Sequence, residues 1–363
     1  MDKVRFGIIG VGAMGKNHAI SFLDGKVKDG VLTAVYDMDP KQTEWLKDKD
    51  VKIFDSSVDM FKSGEVDAVL IATPHYFHPP LAMEAMSHNL HVMIEKPAGV
   101  YTKQVREMNE AAEKVDRVFA IMFQQRTSSD FQKMRQMVQE GELGEIKRTN
   151  WIITDWYRSQ AYYNSGGWRA TWKGEGGGVL LNQCPHNLDL WQWICGMPNK
   201  VTAFCHEGKW HDIEVEDDVT AYVEYPNGAT GVFITSTADA PGTNRFEVLG
   251  DKGKLVYEKG ILEFYSLAKS ERTFNNENKE MFGSPAAISK IIKTDGSFTQ
   301  HPGALSAFVD KILGRGELYA NGEEGINGLM LSNAMHLSAW LGKTISLPFD
   351  EELFLGELRR KFR

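Results

Sequence analysis

A glycine-rich turn directly after the first apolar run constrains the fold of this chain more than any other feature. The run Val4–Ile9 leads into Gly10-Val11-Gly12-Ala13-Met14-Gly15, and a helical pattern over Met14–Leu23 begins inside that turn. Spaced glycines between a strand and a helix let backbone N–H groups approach a pyrophosphate closely. The pattern therefore predicts a dinucleotide-binding unit. Its expected contact residues are Gly10, Gly12, Ala13, Met14 and Gly15.

Strand and helix patterns alternate over the first 123 residues. The apolar runs typical of strands are Val4–Ile9, Val31–Tyr36, Ala68–Ala72, Leu90–Ile94 and Val118–Met122. The helical patterns between them are Met14–Leu23, Pro79–Ser87 and Thr102–Lys114. This alternation is typical of a parallel sheet with helices on both faces. We therefore expect an α/β protein with an N-terminal Rossmann domain over residues 1–123.

The pattern changes over residues 124–363, where we expect a second α/β domain for substrate binding and oligomerisation. Period-two alternation from Lys200 to Tyr265 predicts a large, mostly antiparallel open sheet. Residues 268–300 are polar and predict a surface excursion with one short helix. The helices expected in this half are near Asp130–Glu140, Val179–Ile194, Ala286–Ile292, Ala304–Leu313 and Gly325–Leu341, with a further strand near Ile146–Thr154.

Composition limits the possible partners. No apolar stretch approaches the ~20 residues of a membrane helix, and the N-terminus leaves no room for a signal peptide, which predicts a cytoplasmic protein. A net charge of -8 argues against a nucleic-acid surface. The three cysteines show no disulfide or zinc spacing. His75 and His78 lack accompanying ligands, so we expect no metal site and a small-molecule partner.

Asp37 indicates which dinucleotide binds. It ends the second strand about twenty residues after the last glycine, where a carboxylate accepts hydrogen bonds from ribose hydroxyls and repels a 2′-phosphate. Met38 follows, without an arginine to bind that phosphate, so NAD is favoured over NADP. Thr73 and Pro74 end a later strand at the same sheet edge and are expected to line the cofactor site.

Glu95-Lys96-Pro97 places an amine at the end of the run Leu90–Ile94. Pro97 restricts the backbone of Lys96, so the origin of its side chain is held. Beside a nicotinamide, this amine could hydrogen-bond or share a proton with a reacting hydroxyl. Alternatively, Lys96 is a solvent-exposed residue that merely follows a strand.

A second candidate site follows the glycines at positions 176–178. If the segment is helical, Asn182 and His186 lie one turn apart on one face, with Asp189 three residues further. Pro185 must either open that helix or kink it, so Asn182 could instead belong to a preceding turn. His186 is a candidate proton acceptor, and the alternative is a buried structural histidine.

Together these motifs resemble the Gfo/Idh/MocA family of oxidoreductases. The matching segments are Gly10–Gly15, Asp37, Thr73-Pro74 with His78, Glu95-Lys96-Pro97, and Gly177-Gly178 with His186 and Asp189. The resemblance implies NAD(P)-dependent oxidation or reduction of a sugar or cyclitol carbon, with Lys96 and His186 in catalytic positions. It also implies a homodimer or homotetramer formed through the C-terminal sheet, and adds His78, Glu95, Lys96 and Gln124 to the cofactor site.

Two positions depart from the family pattern. Inositol dehydrogenases have an aspartate where this chain has Asn182, and a neutral amide cannot stabilise an imidazolium as a carboxylate would. Asn182 can still orient His186 and bond a substrate hydroxyl, which leaves open whether His186 or Lys96 is the main base. Gln124 stands where many relatives have asparagine, and is expected beside the nicotinamide.

An aromatic segment before the glycines predicts a substrate-binding wall, because aromatic faces stack on sugar C–H groups and arginines bind hydroxyls or carboxylates. Alternatively, these side chains belong to the core or a subunit interface. The expected substrate residues are Trp156, Tyr157, Arg158, Trp168, Arg169, Asn182 and Asp189.

The leading functional hypothesis is an NAD-dependent dehydrogenase of a secondary hydroxyl on a sugar or cyclitol. One alternative is an NAD-retaining glycosidase that oxidises the sugar transiently to allow elimination. A third hypothesis is a non-catalytic NAD-binding sensor, but Lys96 and His186 argue against it, since a sensor needs neither group.

Overall fold

The computed structural model describes residues 2–362, which form two compact units. One unit contains the chain up to Ser128 together with Phe298–Leu329, and the other contains Ser129–Ser297 with the residues from Met330 onward. Within residues 2–362, no helix has the length and apolar character needed to cross a membrane. The single domain boundary after residue 123 and the cytoplasmic location stay predictions.

The described residues form fifteen strands and eleven α-helices. The strands are β1 (Val4–Ile9), β2 (Gly30–Tyr36), β3 (Lys52–Ile53), β4 (Ala68–Ile71), β5 (His91–Ile94), β6 (Phe119–Ile121), β7 (Ile146–Ile153), β8 (Lys200–Glu207), β9 (Glu216–Glu224), β10 (Thr230–Ser236), β11 (Asn244–Gly250), β12 (Gly253–Glu258), β13 (Ile261–Leu267), β14 (Ala287–Ile291) and β15 (Ile345–Ser346). The helices are α1 (Ala13–Leu23), α2 (Ser57–Lys62), α3 (His78–Ser87), α4 (Thr102–Ala112), α5 (Ser129–Gln139), α6 (Gln160–Tyr163), α7 (Pro185–Cys195), α8 (Glu271–Glu277), α9 (Gln300–Ile312), α10 (Gly325–Leu341) and α11 (Glu351–Arg360).

The first unit is built on a six-stranded parallel sheet in the order β3-β2-β1-β4-β5-β6. The order reverses at β1, which lies between β2 and β4. In open α/β sheets, ligands bind outside the carboxyl ends of the strands at such a reversal. The predicted Rossmann sheet is confirmed.

The core of this unit includes a helix from much later in the chain. Leu305 and Phe308 of α9 pack in one buried cluster with Val4, Phe6 and Phe22 from the first strand and helix. Burial of such side chains stabilises the unit by roughly 1.5–3 kcal/mol each. The helix expected over Ala304–Leu313 therefore completes the first unit.

The second unit is built on a nine-stranded sheet in the order β14-β13-β12-β11-β7-β10-β9-β8-β15. Its neighbouring strands run antiparallel except β7 and β10, which are parallel. The predicted large and mostly antiparallel sheet is confirmed.

Two helix predictions in this unit are wrong. The helix expected from Val179 begins only at Pro185, because proline lacks an N–H and is favoured in the first turn of a helix. The segment expected as a short helix over Ala286–Ile292 contains the strand β14, whose backbone pairs with the edge of β13. Long-range strand pairing, which a local pattern does not reveal, determines that structure.

Candidate functional site

The glycine turn leaves space that the protein itself does not fill. Gly10 has φ +85°, and a Cβ atom added at Gly15 would lie only 1.8 Å from the Gly10 carbonyl oxygen, so both glycines are required by the turn. Gly12 differs, because a Cβ atom there would meet nothing within 4 Å. Gly12 also caps α1 without a side-chain hydrogen bond. This open space beside a helix N-terminus fits the pyrophosphate of a dinucleotide.

Asp37 is connected to the glycine turn. Its Oδ2 accepts a hydrogen bond of 2.6 Å from the Val11 N–H, and its Oδ1 accepts one of 2.9 Å from the Asp39 N–H. A carboxylate has about four acceptor positions, so capacity for ribose hydroxyls remains. Asp37 therefore also fixes the turn, a role that the sequence motif did not reveal.

Among the described residues, two buried oxygen atoms that follow the carboxyl ends of strands in this sheet have no hydrogen-bond partner. They are Thr73 Oγ1, which follows β4, and Gln124 Oε1, which follows β6. An unsatisfied buried oxygen costs about 1–3 kcal/mol, and a ligand that donates a hydrogen bond removes this cost. Both atoms fit the amide or hydroxyl donors of a bound dinucleotide. Pro74 adjoins Thr73 and precedes a short 3-10 helix.

Glu95 faces inward and connects two parts of the first unit. One carboxylate oxygen lies 2.6 Å from His18 Nε2 on α1, and the other accepts a hydrogen bond of 3.0 Å from the Lys96 N–H. Burial alone would raise the Glu95 pKa, but the hydrogen bond and charge of His18 and the nearby Lys96 hold that pKa at about 2. The carboxylate is therefore ionised, and both of its oxygens are engaged by protein groups.

His78 contacts the segment Glu95-Lys96-Pro97 as well, through the backbone of Pro97. Its Nδ1 lies 2.8 Å from the Pro97 carbonyl oxygen, and its Nε2 lies 2.7 Å from the Thr73 carbonyl oxygen. Burial lowers the pKa of His78, and a neutral imidazole donates to only one of these carbonyls. The backbone around half-buried Lys96 is thus held by Glu95 and His78, which argues against a simple solvent-exposed lysine.

In the second unit, a buried carboxylate fixes the glycine turn at 176–178. Glu216 on β9 accepts hydrogen bonds from the N–H groups of Gly178 at 2.9 Å and Leu180 at 3.0 Å. Its carboxylate also lies 3.1 Å from His336 Nε2. A Cβ atom at Gly178 would lie 1.9 Å from the Glu216 carbonyl oxygen, so this position requires glycine.

Asn182 belongs to the turn before α7, so the arrangement with Asn182 and His186 on one helix face is wrong and the preceding-turn alternative is confirmed. The side-chain amide of Asn182 donates a hydrogen bond to Glu175. Glu175 is 2% exposed and also accepts a hydrogen bond of 2.6 Å from the Ala170 N–H. Burial raises the pKa of Glu175, although these hydrogen bonds oppose the shift. A carboxyl group therefore lies beside Asn182, which sequence spacing did not reveal.

His186 is the second residue of α7 and is largely buried. Asp189 lies one turn later and is buried too, with Oδ1 accepting a hydrogen bond of 3.1 Å from Gln192. The catalytic role of His186 and the substrate role of Asp189 stay predictions.

The aromatic segment packs beside this turn. Trp156 donates a hydrogen bond of 3.3 Å to Asn187 on α7. The guanidinium groups of Arg158 and Arg169 lie 5.0 Å and 4.8 Å from the ring centre of Tyr162. Arg169 also lies 4.6 Å from the Trp168 ring.

The structure thus brings four of the predicted wall residues into one network. They are Trp156, Arg158, Trp168 and Arg169. Tyr157 is 53% exposed and contributes its carbonyl oxygen to Arg158. Trp151 and Trp172, which border this segment, are core residues. Within residues 2–362, no cluster of three or more histidine, cysteine or acidic side chains is arranged to hold a metal ion.

Comparisons with known proteins cover most of the chain. Residues 4–123 match the model described as "Oxidoreductase family, NAD-binding Rossmann fold", and residues 131–256 match the GFO/IDH/MocA C-terminal domain. D-glucoside 3-dehydrogenase of Escherichia coli is 26% identical over 95% of this chain and 97% of its own length. Myo-inositol 2-dehydrogenase of Thermotoga maritima is 25% identical over 69% of this chain and 74% of its own length.

A solved structure agrees with these matches. The WlbA dehydrogenase of Chromobacterium violaceum, crystallised with NADH and UDP-GlcNAcA, superposes with a TM-score of 0.83 at 28% identity. The superposition covers 96% of this chain and 97% of that protein. The first unit is therefore an NAD-binding Rossmann domain.

Proposed function

Because the chain belongs to the Gfo/Idh/MocA family of NAD-binding oxidoreductases, we propose that it oxidises a secondary hydroxyl of a sugar or cyclitol, or reduces the corresponding ketone. Relatives named as a glucoside 3-dehydrogenase and an inositol 2-dehydrogenase support this substrate class. The substrate class, a sugar or cyclitol with a secondary hydroxyl, is the part of the function that we propose beyond membership of the family.

One observation carries the proposal. The Glu95 carboxylate binds both His18, on the helix that begins at the glycine turn, and the backbone N–H of Lys96. The backbone from which the Lys96 amine extends is therefore fixed relative to the helix that begins at the glycine turn. Redox chemistry at a bound nicotinamide requires such a fixed starting point, and a simple nucleotide-binding protein does not.

We propose that the cofactor is held by the glycine turn at Gly12 together with the side chains of Asp37, Thr73 and Gln124. The chemistry that a bound NAD⁺ would supply is acceptance of a hydride from the substrate carbon. Lys96 donates a hydrogen bond to the substrate oxygen and stabilises it as it becomes a carbonyl. His186 accepts the proton of the hydroxyl, and Asn182 orients the substrate. Each proton-transfer group of this kind contributes roughly 10²- to 10⁴-fold to the rate.

The variant Lys96→Ala tests this assignment. We expect it to fold and bind NAD normally but to lose roughly 10²- to 10⁴-fold in kcat, measured as NADH formation with a panel of hexoses, inositols, anhydrosugars and uronates. Lys41→Ala, at an exposed position of the same unit, is the matched control. A near-normal kcat for Lys96→Ala would contradict the role of the lysine. Sugar release without NADH would instead favour the glycosidase.

The oligomer remains part of the proposal. Family resemblance favours a homodimer or homotetramer formed through the nine-stranded sheet, and the mass measured by light scattering tests it.

A further inference from the structure

Arg158 has no carboxylate partner in the part of the chain that the structure describes. Among the described residues, no Asp or Glu side chain lies within ion-pair distance of it, although several other arginines of this acidic chain have such partners. Its Nε is buried without a hydrogen-bond partner, and its Nη1 donates to the neighbouring Tyr157 carbonyl oxygen at 2.9 Å. The guanidinium therefore retains unused donors in a partly buried position.

The backbone of Arg158 is held by buried groups on both sides. Its N–H donates to the Thr237 carbonyl oxygen at 2.8 Å, and its carbonyl oxygen lies 2.9 Å from His211 Nε2. The other nitrogen of His211 lies 2.9 Å from the carboxylate of fully buried Asp217. This framework fixes the point from which the arginine extends, as a binding residue requires.

Arg169 is a second cation at the ring of Tyr162, which the guanidinium of Arg158 also contacts. It donates a hydrogen bond of 3.0 Å to the Tyr162 hydroxyl, while its nearest carboxylate, Glu175, lies 3.8 Å away. Gln183 also donates to that hydroxyl at 3.3 Å, and its buried Oε1 has no hydrogen-bond partner within residues 2–362. Because Gln183 adjoins Asn182, the two arginines belong to the same side-chain network as the turn before His186.

We infer that Arg158 and Arg169 form an anion-binding subsite, so that the substrate is a sugar or cyclitol that bears a carboxylate or phosphate group. This inference rests on the proposed function and specifies its substrate class. Guanidinium groups bind both anions through paired N–H donors. Trp156 and Trp168, beside these arginines, offer faces for the C–H groups of the ring.

Matched substrates test the inference. NADH formation is compared for glucose, glucuronate and glucose 6-phosphate, and for galactose and galacturonate, with the full-length protein and NAD. A charge-assisted contact predicts that kcat/KM is roughly 10- to 100-fold higher for an anionic sugar than for its neutral parent. The uronate and phosphate arms identify which anion the subsite prefers.

Variants separate binding from structural support. We expect Arg158→Gln to lower kcat/KM for the anionic sugar by roughly 10-fold or more while leaving the neutral sugar nearly unchanged. Arg158→Lys should retain part of the preference because it keeps the charge. Arg359→Gln, at an exposed position of α11, is the control. An equal loss on neutral and anionic sugars would show a structural role and overturn the inference.

Different results would contradict the proposed dehydrogenase function and the proposed anion-binding subsite. Equal turnover of neutral and anionic sugars overturns the anion subsite and leaves the dehydrogenase intact. If no sugar yields NADH, the proposed function is contradicted. In that case, calorimetric titration of the NAD-loaded protein with glucuronate tests the anion-binding subsite independently of turnover. The subsite is overturned if glucuronate does not bind, or if Arg158→Gln binds it as tightly as the parent protein does.

Discussion

Replacing Asn182 by aspartate should destabilise the protein, although it restores the residue found in inositol dehydrogenases. The Asn182 amide donates to the buried carboxyl of Glu175, so aspartate would place two carboxylates in contact. At a separation of ~3 Å and an effective dielectric constant of ~20, their repulsion is about 5 kcal/mol. Arg169, 3.8 Å from Glu175, offsets only part of it.

Protonation of one carboxylate limits this cost. Holding a carboxyl group neutral at about pH 7, when its ordinary pKa is near 4, costs about 4 kcal/mol. Because burial has already raised the pKa of Glu175, we expect Asn182→Asp to lose ~3 kcal/mol of unfolding free energy at neutral pH. A group with a raised pKa loses its stability contribution as pH rises, so the loss should shrink by ~1.4 kcal/mol for each pH unit on acidification.

Urea unfolding followed by tryptophan fluorescence, at about pH 5 and pH 7, measures both quantities. The double variant Asn182→Asp with Glu175→Gln has a single carboxyl group again and should recover most of the loss. A single variant as stable as the parent at neutral pH, or a loss that does not change with pH, would refute the reasoning.

Three further variants test the first unit. Gly12→Ala should leave the melting temperature unchanged, because its Cβ meets no protein atom, but should weaken NAD binding roughly 5- to 150-fold in a calorimetric titration, as overpacking against the cofactor costs ~1–3 kcal/mol. Gly15→Ala should lower the melting temperature as well, because its Cβ would lie 1.8 Å from the Gly10 oxygen; equal melting temperatures for these two variants would contradict this. The Glu95 carboxylate, with a pKa of about 2 against an ordinary 4.5, adds on the order of 3 kcal/mol of stability above pH 4.5 that is lost as pH falls toward 2. Glu95→Gln should therefore flatten the acid limb of a stability curve followed by circular dichroism, and an unchanged limb would count against the stabilising contact between Glu95 and His18.

Local patterns were sufficient for the parallel sheet. Each of its longer strands is a largely apolar run, and the turn Gly10–Gly15 has the glycine spacing of a dinucleotide-binding turn. The sheet edge at which the cofactor is expected to bind can be predicted from the topology, because the carboxyl ends of parallel strands all lie at that edge. The sequence positions of Asp37 and Lys96, each just after a strand, therefore suffice to indicate them as candidate site residues.

The partners of the candidate site residues could not be predicted in this way. His18 and Glu95 are separated by 77 residues, and Glu216 reaches Gly178 across 38. Glu175 precedes Asn182 by only seven residues, yet the bond between them depends on a turn that Pro185 imposes by starting α7 after it. Such contacts depend on the tertiary fold, and periodicity in the sequence carries no information about them.

The return of α9 to the first unit has a consequence for synthesis of the protein. A ribosome that has produced the chain up to Ser128 has synthesised all six strands of the NAD-binding sheet, but not the helix that covers Val4, Phe6 and Phe22. Residues 129–297 must be translated first, which at about 5–20 residues per second takes roughly 10–30 s. Throughout that time the nascent unit exposes an apolar face, so a chaperone that binds such faces would act on this chain before its second half is finished.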